Sequence, residues 1–129
     1  MIVAHHTVQG LPPAAAAETL AQSLGVADRG APDWITVHFG AGMDAALLHE
    51  ALRAQGVAGA RTAVQGGGSC LGVMGSAGVR IDTGDGVGVF AIWDERGDYG
   101  TAIADFADGP RAAGRRAAMA AVDRARRAG

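Results

Sequence analysis

Residues 34–56, WITVHFGAGMDAALLHEALRAQG, contain the two clearest secondary-structure signals of the chain. Trp34–Phe39 is rich in β-branched and aromatic residues, which suit the pleated surface of a strand. After a Gly-rich turn, residues 43–55 have the pattern of an amphipathic helix. The side expected to face inward is formed by Leu47, Leu48, Ala51 and Leu52. The stretch therefore predicts a strand, a turn and a helix that packs back on the strand.

Similar signals lie on both sides of this unit. Ile2–Val8 is strand-like, and residues 14–24 are helical with Gly25 as a C-cap. Residues 26–33 are expected to be a loop. The remaining predicted elements are strands over residues 61–65, 78–83, 87–93 and 99–106 and a last helix over residues 111–128. Asp85-Gly86 predicts a hairpin that joins residues 79–83 to 87–93, and residues 99–106 are expected to pair back antiparallel.

The predicted order is β-α-β-α-β-β-β-β-α, which indicates an α/β (α+β) fold. We expect a mixed, largely antiparallel sheet with helices packed on it. The 129 residues, 49% of them hydrophobic, suit one domain over residues 1–129. The chain could equally be the opening part of a longer protein.

Charge and composition exclude several classes of protein. The net charge of −2 argues against a general nucleic-acid binder. No apolar stretch approaches the roughly 18 residues that a membrane span needs, and no secretory signal is visible. The single cysteine cannot form an internal disulfide, so we expect a soluble cytoplasmic protein. Every basic residue is arginine, so chemistry that requires lysine, such as a Walker-type phosphate loop or a Schiff base, is excluded.

The Gly-rich segment QGGGSCLGVMGSAG, residues 65–78, is the main candidate site, although it matches neither the dinucleotide-binding nor the nucleophile-elbow motif. Backbone N–H groups of successive glycines can hold an anion or a carbonyl. The candidate ligand contacts in this segment are Gly66, Gly67, Gly68, Ser69 and Cys70. Two further candidates, His38 and Arg61, are expected to line the same edge of the sheet. One alternative is that Gly66–Gly68 form a bulged, tightly packed strand and Cys70 is a buried small hydrophobic residue. Another is a nucleophile at Ser69 or Cys70 with His5 or His38 as its base.

The histidines offer a second hypothesis. We expect His5 and His38 on neighbouring strands, where they could converge on a metal ion or ligate a haem. The alternative is that His38 is a strand residue at the rim of the sheet and His49 a solvated helix residue, since no spacing typical of a zinc site supports a metal. The arginines of the last helix form either a solvated face or an interaction surface.

Three segments together resemble the N-terminal FIST domain, a sensory domain of signalling proteins. They are GGGSCLGVMGSAG, VGVFAIWDERGDYGTAIADF with its Gly97-Asp98-Tyr99-Gly100 turn, and PRAAGRRAAMAAV. The resemblance covers most of this chain but only the opening portion of the family, whose members are usually longer. It implies a sensor of small molecules such as amino acids, with a C-terminal partner domain or signalling protein. Some members are similar to haem-binding nitric-oxide sensors.

The sequence therefore predicts a small-molecule-binding sensory domain of intracellular signal transduction. It leaves three alternatives open: an enzyme that uses Cys70 or Ser69, a haem-binding gas sensor, and a structural or oligomerisation domain. A homo-oligomer is possible in each case.

Overall fold

The computed structural model describes residues 1–69, 73–75, 78–80 and 84–128; for residues 73–75, 79, 80 and 126–128 it describes the backbone alone. Six strands and four helices lie within these residues. The strands are β1 (Ile2–Val8), β2 (Trp34–Gly40), β3 (Ala63–Ser69), β4 (Val73–Gly75), β5 (Gly78–Arg80) and β6 (Val87–Trp93). The helices are α1 (Pro13–Leu24), α2 (Val26–Arg29), α3 (Ala45–Ala54) and α4 (Pro110–Ala128).

The main sheet has four strands in the order β1-β6-β2-β3. β6 lies between β1 and β2 and is antiparallel to both, whereas β3 is parallel to β2. Parallel neighbours require a crossover connection, and α3 with its loops supplies it. The predicted α/β fold with a mixed, largely antiparallel sheet is thus confirmed. β4 and β5 form a separate two-stranded sheet.

The core lies between one face of the main sheet and helices α1 and α3. Alternate residues of the central strands are buried on this face, because side chains of a strand alternate between its two sides. They include Ile35 and Val37 of β2 and Val87, Val89 and Ala91 of β6. The helices cover them with Leu20, Leu24, Leu48 and Leu52, all nearly inaccessible to solvent. The two helices also pack on each other.

The other face of the sheet is more polar and more exposed. The register places His5 beside Phe90, and Thr36 on the other side of Phe90. Trp34 meets Phe90 edge to face, with ring centroids 6.1 Å apart. We refer to this surface as the open face.

Local hydrogen bonds fix the helix ends. The Asp44 carboxylate accepts from the backbone N–H groups of Ala46 and Leu47 at 2.9 and 3.0 Å, which makes Asp44 the N-cap of α3. Gly25 ends α1 as predicted. The chain then forms the short helix α2, where a loop was predicted, because Val26 reaches into the core.

Two strand predictions are wrong. Residues 99–106 form no strand, since β1 and β2 occupy both edges of β6 and leave no place for an antiparallel return. The Asp85-Gly86 hairpin is also wrong as a pairing, because β5 pairs with β4. Residues 81–83 of that predicted strand lie outside the described residues. Strand β3, in contrast, runs on through the glycines to Ser69, beyond its predicted end at Gln65.

Neighbouring leucines of α3 test where the core lies. Leu47 was predicted to face inward with Leu48, but it is 54% exposed, whereas Leu48 is 1% exposed. Leu48→Ala should lower the free energy of unfolding by about 2–5 kcal/mol, because it leaves a cavity. Leu47→Ala is the matched control and should change it by less than about 0.5 kcal/mol. Urea unfolding measures both, and equal losses would contradict this packing.

Candidate functional site

Residues 65–69, the first part of the Gly-rich candidate site, lie on β3, the last strand of the sheet. Cys70 lies outside the described residues, so its predicted role is not tested. A Cβ atom on Gly66 would stand 2.8 Å from the Val37 carbonyl oxygen, so this glycine allows β3 to approach β2 closely. Gly67 has open space at the same position. The packing interpretation therefore explains Gly66 but not Gly67.

His38 is the one predicted partner that lies beside the glycines. It pairs with Gly67 across β2 and β3 and is exposed on the open face. Its Nε2 atom is 3.5 Å from the Thr36 hydroxyl. Ser69 lies two residues further along β3 and is partly buried.

The prediction that His5 and His38 lie on neighbouring strands is wrong. Both are on the open face, but β6 separates their strands, which places β1 and β2 about 9–10 Å apart. They are also offset along β6, where His5 pairs with Phe90 and His38 with Gly88. Within the described part of the chain, no group of three His, Cys, Asp or Glu side chains could hold a metal ion.

Arg61 lies at the opposite end of β3 from Ser69. The seven residues of β3 separate the two, and a strand of that length spans about 20 Å. The structure therefore brings His38 to the glycine run but keeps Arg61 away from it. Arg61 belongs to a different surface, at the end of the sheet where β2 and β3 begin.

A cavity of about 480 Å³ surrounds Arg61. One wall is the turn before β3, residues 60–63, and the other comes from residues 99–101 and from Arg124 of α4. Two arginines thus line it, and no acidic residue is among its described lining residues. We call this space the basic cavity.

A smaller cavity of about 160 Å³ adjoins it and shares Arg61 and Tyr99. Its other lining residues are mostly acidic, and they are Asp33, Asp94, Glu95, Asp98 and Gly97. We call it the acidic cavity. Because Arg61 and Tyr99 line both cavities, the two lie side by side, and we call them together the groove. The basic cavity adds Arg124, whereas the acidic cavity adds the four acidic residues.

Asp33 holds the strand ends that frame this groove. Its backbone N–H donates to the Ile92 carbonyl, and its own carbonyl accepts from the Ala63 N–H, both at 2.9 Å. Its carboxylate accepts from the Asp94 N–H at 2.6 Å. One residue therefore ties the start of β2 to the start of β3 and to the end of β6.

Tyr99 lines both cavities. Its hydroxyl donates to the Asp94 carboxylate at 3.0 Å. Burial, followed by this hydrogen bond and the negative charges of Asp94 and Asp33, raises the pKa of Tyr99 above its ordinary value. A tyrosine is protonated at neutral pH even at its ordinary pKa. The raised pKa therefore extends the hydrogen bond from the phenol to Asp94 to a higher pH.

Helix α4 closes the basic cavity from the other side. Nη1 of Arg124 donates to the Thr101 carbonyl at 2.6 Å. Gly100 lies against the backbone of Ala121 so closely that a side chain would not fit. The cavity is therefore a junction between the end of the sheet and the terminal helix.

The sequence pattern did not single out Tyr99, Thr101 or Arg124 as site residues. The Gly97-Asp98-Tyr99-Gly100 turn was part of the FIST resemblance but was interpreted only as a turn. Arg124 was counted among the helix arginines, and nothing in its local sequence distinguishes it from Arg115.

Comparison with protein-family models, curated proteins and solved structures found no match to this chain. The resemblance to the FIST domain therefore stays a prediction. No helix among the described residues is both long and apolar enough to cross a membrane.

The Tyr99 environment can be tested by titration, since Tyr99 is the single tyrosine of the chain. Asp94→Asn should lower the pKa of Tyr99 towards its ordinary value, because it removes the negative charge next to the phenol. Phenolate absorbance against pH measures the effect. Glu95→Gln, a change at the adjacent exposed acid, is the control and should shift the pKa much less. Equal shifts in both variants would refute the assigned contact.

Proposed function

We propose that this chain is a small-molecule-binding sensory domain of cytoplasmic signal transduction whose ligand is an amino acid or a similar metabolite. The observation that carries the proposal is the groove at Arg61 and Tyr99, with a basic cavity on one side and an acidic cavity on the other. Its larger cavity lies within the range of about 300–1,000 Å³ that is usual for small-molecule sites.

The basic cavity suits a carboxylate. Arg61 and Arg124 approach it from different elements, and guanidinium groups bind carboxylates through two parallel hydrogen bonds. Arg124 uses one of its N–H groups on the Thr101 carbonyl, which holds the side chain in place at the cavity.

The acidic cavity suits an ammonium group of the same ligand. Asp33 and Asp94 are partly buried there, and Glu95 and Asp98 lie at its exposed side. A zwitterion that spans the groove would place each charge beside side chains of opposite sign. This charge pattern favours an amino acid over a simple anion or cation.

The position of the groove supports a sensory role. A ligand bound to both Arg61 and Arg124 would join the end of the sheet to α4. Ligand binding would then favour the docked position of α4, because a ligand shifts an equilibrium towards the state that it binds better. A C-terminal partner domain or signalling protein that contacts α4 would receive the signal.

The other functional hypotheses stay predictions. A ligand held at Arg61 does not reach Gly67, His38 or Ser69, so contacts there would belong to a separate site. The haem and nucleophile hypotheses gain no support from the geometry of the described residues. We therefore centre the proposal on the Arg61 end of the sheet.

Thermal unfolding in the presence of each common L-amino acid tests the proposal. At least one should raise the melting temperature with the concentration dependence of a single bound ligand. Arg124→Gln should weaken binding of that amino acid about tenfold or more, the effect of one lost charge-assisted hydrogen bond. Arg115→Gln, an exposed change on the same helix outside the cavity, should bind as the unchanged protein does.

The carboxylate assignment has its own control. The corresponding amino-acid amide, which keeps the ammonium group but lacks the negative charge, should stabilise the protein much less. Absence of stabilisation by every amino acid, or equal stabilisation of the Arg124→Gln protein, would overturn the proposal.

A further inference from the structure

The outer edge of β3 is a long, regular strand edge. β3 is last in the strand order, and all seven of its residues pair with β2 without interruption. In the described part of the chain, no strand pairs with its other side. Every second residue of a strand directs its N–H and C=O groups to each side, so this edge carries a row of hydrogen-bonding groups.

Among the residues that the structure describes, β3 itself carries none of three usual protections against pairing. Proteins commonly protect sheet edges with charged residues, prolines or bulges. The sequence of β3, AVQGGGS, contains no charged residue and no proline, and its register shows no bulge. Gln65, Gly66 and Gly68 are exposed. The glycines add no side chains that would hinder an approaching backbone.

The same edge begins at the basic cavity. Ala63 is the first residue of β3, and it also lines the cavity together with Arg61 and Arg124. An extended chain that lay along β3 would therefore have one end beside two guanidinium groups. This charge favours an occupant with a negative group at that end.

We propose that β3 binds an extended peptide that ends in a free carboxylate. The peptide adds a strand to the outer edge of β3, and its terminal carboxylate lies in the basic cavity at Arg61 and Arg124. This inference rests on the proposed function, because it uses the same cavity as a carboxylate site. Strand addition and capture of a terminal carboxylate are both established modes of peptide recognition.

The location of the cavity fixes the direction of the peptide. The cavity lies at the start of β3, so the C-terminus of the peptide must lie there and its earlier residues must lie beside Gln65 and Gly67. The peptide therefore runs antiparallel to β3. The glycines offer few side-chain contacts, so we expect main-chain hydrogen bonds and the carboxylate to provide most of the affinity, with broad sequence selectivity.

The test uses the full chain labelled with ¹⁵N and a set of acetylated hexapeptides that end in Ala, Ser, Val, Leu or Phe. Titration with free-acid peptides should shift the amide signals of β3, including Gly66, Gly67 and Gly68. The same peptides with an amidated C-terminus should bind about tenfold more weakly or worse, because the charge-assisted contact is lost.

Two N-methylated versions of the best peptide test the added strand. One carries N-methyl groups on its odd-numbered residues, and the other carries them on its even-numbered residues. The version whose N–H groups face β3 should lose at least about tenfold in affinity, whereas the other should bind nearly as the parent does. Arg124→Gln should weaken the free-acid peptide, and Arg115→Gln should not.

Each result decides the proposal. It is supported if amidation, one N-methylation pattern and Arg124→Gln all weaken binding. It is overturned if no free-acid peptide shifts β3, if amidation has no effect, or if both N-methylated versions bind as the parent does. Binding of free amino acids without binding of peptides would retain the proposed function and reject this inference; loss of both would reject both.

Discussion

The position of β6 in the centre of the sheet determines much of the remaining structure. A strand has two edges, and those of β6 are both paired, one with β1 and one with β2. Its buried residues Val87, Val89 and Ala91 then occupy the middle of the core beneath the helices. The segment that follows β6 therefore cannot pair with β6 as a further strand. It passes across the end of the sheet and reaches α4, where Arg124 and Arg116 bind its carbonyl groups.

The candidate site forms where the segment after β6 crosses the end of the sheet. Asp33 holds together the strand ends at one side of the groove, and the segment after β6 brings Tyr99 and Thr101 to face them. Arg61 precedes β3, while Arg124 lies more than sixty residues later on the terminal helix. The groove thus depends on how the sheet and α4 are docked, and this dependence is what a sensor of bound ligand requires.

Local pattern was sufficient to predict where the strongest elements lie. The apolar spacing of residues 14–24 and the β-branched run of residues 34–39 correspond to α1 and β2. Local pattern could not predict how the strands pair, because periodicity shows that a strand exists but not which other strand it lies beside. It also left open whether the glycines after Gln65 form a strand or a ligand-binding loop, since glycine has low strand propensity and the fit of Gly66 depends on contact with Val37. The candidate site was harder to predict than the strands. Arg61 was predicted to lie beside the glycines, but it lies at the other end of β3. Tyr99 and Arg124 reach the site only because segments distant in sequence meet there.

In the proposed complex, one ligand joins the end of the sheet to α4 through Arg61 and Arg124. Hydrogen–deuterium exchange of the amides around Gly100 and Arg124, with and without a saturating amount of the most stabilising amino acid, measures this directly. We expect slower exchange in both segments when the ligand is bound, and no such change in the Arg124→Gln protein. Protection confined to residues 65–69, with unchanged exchange in α4, would contradict it and would place the ligand at the other end of the sheet.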